Sequence, residues 1–77
     1  MVPTPEALQD ILVEILAGAA GGSRDEWRAI VGPVTKVPVA TNVRSNWAIA
    51  PRGTKSQLET VQAAVEIVRA EHPYVAK

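Results

Sequence analysis

The apolar residues of this chain change their spacing twice. From Leu8 to Val31 they recur every three or four positions, from Val37 to Ile49 they alternate, and from Leu58 to Val68 the helical interval returns. A chain with that order of periods is expected to fold as α-α-β-β-α. The expected class is α+β: a two-stranded antiparallel ribbon packed on a C-terminal helix, in a single domain over residues 1–77.

Local signals fix the helix ends. Thr4 suits an N-cap and Pro5 the first helical position, where a missing N–H costs nothing. Leu8, Ile11, Leu12, Ile15, Leu16 and Ala19 share one face, and Gly18 with Gly21-Gly22 ends the element. Ser23-Arg24-Asp25-Glu26 has the capping-box pattern and opens a short helix with Trp27, Ile30 and Val31 on one side. Gly32-Pro33 stops it, with Gly32 expected in the left-handed conformation. Two helices joined by a glycine turn form an αα-hairpin.

Between Val34 and Pro51 strand chemistry takes over. Val37, Val39, Thr41 and Val43 alternate with Pro38, Ala40, Asn42 and Arg44, and Trp47 and Ile49 alternate with Ala48 and Ala50. Arg44-Ser45-Asn46 is then expected as a three-residue hairpin loop, with Asn46 at positive φ. Pro38 has no N–H to donate and belongs on an outward edge.

The last helix starts at Thr54 or Ser56, since both open a capping-box pattern. Leu58, Val61, Val65 and Val68 form its main stripe, flanked by Ala64, while Ala63, Ile67 and Ala70 lie well round the cylinder. Two arrangements use so much apolar surface. In one, the helix runs through the middle of the fold, between the ribbon and the first helix; in the other, its second face is a homodimer seam. Pro73 closes the helix after His72, and Tyr74-Val75 is expected to fold back on the core.

Size makes every large side chain count. A domain of 77 residues buries only about 60% of its unfolded surface. There is no Phe, so Trp27, Trp47 and Tyr74 are the only bulky aromatics. Cysteine is absent, which removes disulfide stapling and thiolate chemistry and points to a cytoplasmic protein. The run from Ile11 to Ala17 is preceded by Glu6 and Asp10 with no Lys or Arg, unlike a signal peptide, and is too short and charged to span a bilayer.

Formal net charge is zero, so no global field gathers polyanions. The charge is nevertheless uneven: residues 34–57 hold Lys36, Arg44, Arg52 and Lys55 and no acid. Those four cations, with Asn46 and Trp47, are the candidate binding residues. Trp47 has two readings, a core anchor under the ribbon or a stacking platform for single-stranded nucleic acid. Arg52-Gly53-Thr54-Lys55-Ser56 lacks the spacing of a phosphate loop, because Thr54 separates Gly from Lys. Free N–H groups there would still suit an anion, unless Thr54 and Ser56 cap them.

Catalytic signals are thin. His72 is the only histidine and stands in the last turn of a helix, where a protonated imidazole could bond a free carbonyl. No second His or Cys completes a zinc site, and no Gly-x-Ser-x-Gly marks a nucleophile. The sequence therefore reads as a non-enzymatic interaction module, with neither cofactor nor metal, binding a protein partner or itself. The alternative is an anion or nucleic-acid binder using residues 34–57.

Overall fold

A computed structural model of the chain describes residues 2–38 and 45–76. The elements are α1 (Pro5–Ala20), α2 (Arg24–Val31), β1 (Thr35–Lys36), β2 (Trp47–Ala48) and α3 (Lys55–Glu71). Three helices and a two-stranded antiparallel sheet follow in the expected order. Each helix begins where a side chain supplies the missing acceptor. Thr4 Oγ1 accepts from the Ala7 N–H at 3.1 Å. Ser23 and Glu26 close a reciprocal box at α2, as do Thr54 and Gln57 at α3, which settles that start on Thr54 rather than Ser56.

Leu8, Leu12, Val13 and Leu16 of α1 meet Val61, Ala64, Val65 and Val68 of α3 in the core, and Trp27 and Val31 of α2 close the other side. Val13 was not on the expected face, and Ala19 on that face is exposed. The cause is that α1 packs against both other helices, which widens its covered sector. The Trp27 indole N–H donates to the Gly21 carbonyl at 2.7 Å and so pins the turn between α1 and α2. Outside, Arg24 pairs with Glu14 at 2.5 and 3.0 Å, and Arg28 with Asp10 at 2.8 Å.

Gly21 and Gly32 have positive φ, 79° and 69°, but extended ψ, −171° and −170°. That is not the expected left-handed helical well. It is a region open essentially to glycine alone, and it turns the chain sharply out of each helix.

The ribbon departs most from expectation. Its register pairs Thr35 with Ala48 and Lys36 with Trp47, so the strands are shorter than the alternation implied and the first begins two residues earlier. The Val37 N–H donates to the Asn46 carbonyl at 2.7 Å, and Pro38, lacking an N–H, cannot continue the ladder. The described pairing runs from Thr35 to Val37 on one side and from Asn46 to Ala48 on the other. Ser45 and Asn46 are buried, and no described non-glycine residue has positive φ, so Asn46 does not take the expected left-handed conformation. The alternation at Val39, Ala40, Thr41, Asn42 and Val43, and Arg44, lie outside the described residues.

The expectation that α3 runs through the middle of the fold is also corrected. Val61, Ala64, Val65 and Val68 are covered, but Ala63, Ile67 and Ala70 face outward. One apolar side of the helix is therefore exposed. Val75 folds back as expected and is buried, while Tyr74 is exposed.

Three substitutions test this account. Gly32→Ala should lower stability in urea by more than about 1 kcal/mol, because Ala resists that backbone conformation. Gly18→Ala, inside α1 with open space around its Cα, should raise it by about 0.5–1 kcal/mol. The hydrogen-bonded Arg24 guanidinium holds the exposed Glu14 carboxyl below its ordinary value, against a smaller opposing effect of lost hydration and a smaller one still from Asp10. The sign follows: the pair's contribution is present above the unfolded glutamate pKa and is lost as pH falls through the lower folded value. Arg24→Ala should therefore move the Glu14 titration upward, as followed by carboxyl carbon NMR.

Candidate functional site

The six candidate residues separate into a buried pair, three exposed cations, and Arg44, which lies outside the described residues. Trp47 is fully buried. Its indole N–H donates to the His72 carbonyl at 2.8 Å, and the Arg69 guanidinium carbon lies 4.5 Å from its ring centroid. Arg69 Nε donates to Ser45 Oγ at 2.9 Å and Nη2 to the Trp47 carbonyl at 3.2 Å. An indole enclosed in this way has no face left for a nucleobase; it is the core anchor.

Asn46 is a bracket for the C-terminal tail. Its side-chain NH₂ donates to the Val75 carbonyl at 3.1 Å, and its side-chain oxygen accepts the Val75 N–H at 2.7 Å. The amide thereby copies the pair of bonds that a neighbouring strand would make. Its own N–H donates to the Pro73 carbonyl at 3.1 Å. The ribbon's second edge is therefore partly occupied by the chain's own tail. Among the described residues no buried side-chain nitrogen or oxygen lacks a partner.

Lys36, Arg52 and Lys55 are exposed. Lys36 stands on β1, Arg52 precedes α3 with its backbone N–H bonded to the Ile30 carbonyl at 2.9 Å, and Lys55 is the first residue of α3. None of the three makes an ion pair among the described residues. At this helix start Thr54 Oγ1 accepts the Gln57 N–H at 3.1 Å and Gln57 Oε1 accepts the Thr54 N–H at 2.8 Å. The helix supplies its own cap there. Gly53 permits it, since a Cβ at that position would come within 2.6 Å of Gln57 Oε1.

His72 acts through its backbone. Its N–H bonds the Val68 carbonyl at 2.6 Å and its carbonyl receives Trp47, whereas the imidazole has no hydrogen-bond partner among the described residues. With Glu71 and Tyr74 it lines a hollow of about 110 Å³, well under the roughly 300–1,000 Å³ of small-molecule sites. A larger hollow of about 450 Å³ lies between the end of α1 and the start of α2, where Arg24 and Glu14 are already paired with each other. No group of three His, Cys, Asp or Glu among the described residues could hold a metal. No described helix is long and apolar enough to cross a membrane.

The remaining surface of interest is the outer side of α3. Ile67 is 54% exposed between exposed Ala63 and Ala70, and Tyr74 (44%) and Val2 (49%) lie beyond the helix end. These are the large apolar side chains that the described structure leaves in solvent. Arg69 and Ser45 were not singled out from sequence. The available signal was Arg69 itself, a cation one position after Val68 on the covered stripe, next to the helix end that the tryptophan meets.

Comparison with models of protein families, with curated proteins and with solved structures gives no significant match.

The bracket makes a clear prediction. Asn46→Ala leaves a buried N–H and a buried carbonyl on Val75 unpaired, and should cost about 2 kcal/mol or more of stability. Hydrogen exchange at the Val75 amide should speed up more than global unfolding requires. Asn46→Asp, which keeps the acceptor and loses the donor, should also lose stability.

Proposed function

We propose that this chain is a small, cytoplasmic, non-enzymatic interaction module that binds a protein partner or itself through the outer side of α3. The observation that carries this reading is Ile67, more than half exposed on a helix whose opposite side is fully engaged in the core. Apolar groups in water are stabilised by burial at roughly 25 cal/mol per Å². A run at positions 63, 67 and 70 is one continuous strip on a helix, the form in which helices contact partners. The lack of cysteine suits a reducing compartment.

A second reading rests on Lys36, Arg52 and Lys55, which are exposed and unpaired among the described residues. They would serve an anion by charge alone, since Trp47 offers no stacking face.

One experiment separates the two. A photo-crosslinking residue at position 67 should give discrete higher-mass species in the cells of origin, and one at Ala29, an exposed position on α2, should not. Absence of any adduct from position 67, together with salt-sensitive oligonucleotide binding lost in a Lys36, Arg52 and Lys55 triple alanine variant, would replace the first reading with the second.

A further inference from the structure

Among the described residues, the exposed charges that flank the apolar strip of α3 from 59 to 71 are of one sign. Glu59 and Glu66 stand one heptad apart along one flank, and Glu71 lies one turn beyond Ile67 on the other. All three are exposed, and none makes an ion pair among the described residues. Arg69 is the only cation between 59 and 71, and it is turned inward to Ser45 and Trp47. Glu71 also sits in the last turn, beside the negative pole of the helix, where a carboxylate is disfavoured and a cation is favoured.

The exposed apolar groups gather at that same end. Val2 and Tyr74 line one hollow with Glu71, and Ile67 is four residues before Glu71 on the same side of the helix.

These observations decide between the occupants of the strip. A second copy packed antiparallel, with Ala63 of each against Ile67 of the other, would set the Glu59 and Glu66 flank against the same flank of its partner. A parallel copy would set the Glu66 flank against the Glu71 flank. Either way carboxylate meets carboxylate at the rim of a strip too narrow to offset it.

We infer that the strip takes a different protein, one that presents an amphipathic helix with an apolar stripe bordered by Lys or Arg. This rests on the interaction-module reading and adds the chemistry of the partner. The apolar stripe covers Ala63, Ile67 and Ala70 and reaches Tyr74. The cations meet Glu59 and Glu66 on one side and Glu71 with the carbonyl end of α3 on the other.

The test uses the full chain with synthetic helices of roughly 18 residues, about five turns. One carries a Leu/Ala stripe with Lys borders, the second replaces Lys by Glu, and the third scrambles the Lys sequence so that no stripe remains. Amide NMR should show the Lys helix shifting Ala63, Ile67, Ala70, Glu71 and Tyr74. Ile67→Asp should weaken it by about ten-fold or more, the loss of one central apolar anchor. The double variant Glu66→Lys, Glu71→Lys should lose the Lys helix and gain the Glu helix.

No shifts with any helix, or equal shifts with the scrambled one, overturn the inference and the interaction reading together. Binding of the Glu helix by the unaltered chain overturns the basic partner alone. So does sedimentation of the chain as a dimer that Ile67→Asp disperses. In both of those cases the interaction reading stands.

Discussion

Without Phe or Cys, a chain of 77 residues has few means to close a core, and the indole of Trp47 supplies the largest of them. It is anchored in three directions: its N–H to the end of α3, its ring to the Arg69 guanidinium, and its backbone to β1. A ribbon of two residues per strand would not persist alone. It persists here because its central side chain is part of the helix packing. Arg69 completes the arrangement with neutral acceptors and a ring face, and among the described residues no carboxylate joins it.

That use of Arg69 shapes the outside of the molecule. A cation that could have balanced Glu66 is spent on the interior, and the outer side of α3 is left acidic around an apolar line. The same helix therefore has two characters. Its inner side is aliphatic and closely packed, and its outer side is a narrow apolar strip between carboxylates. The exposed cations Lys36, Arg52 and Lys55 lie at β1 and at the beginning of α3, away from the acidic end. Zero net charge thus conceals a polarity along the helix.

What was legible from sequence was local. Thr4, Ser23 and Thr54 cap helices through bonds to residues three positions away, so their patterns survive any tertiary arrangement. Gly32 announced a turn, although its ψ fell elsewhere than expected. Trp47 as a core anchor was also legible, from an apolar neighbourhood in a chain poor in aromatics.

Most of the other misses were set by distant partners. Asn46 looks like a turn residue until Val75, 29 positions later, claims its amide. Val13 is covered because α1 has two neighbours rather than one. Ala63, Ile67 and Ala70 are plainly apolar, but whether anything lies over them depends on the tertiary packing. For the candidate site the same division holds: exposure of the cations was readable, and the burial of Asn46 was not.

The Ala76 N–H bonds the Pro3 carbonyl at 2.8 Å, which ties the two extremities of the described chain together. The turn between α1 and α2 is made by neighbours in sequence, whereas this contact and the Asn46 bracket join residues 73 and 29 positions apart and close long loops. The tail is therefore the segment whose docking depends most on contacts made far away in the sequence.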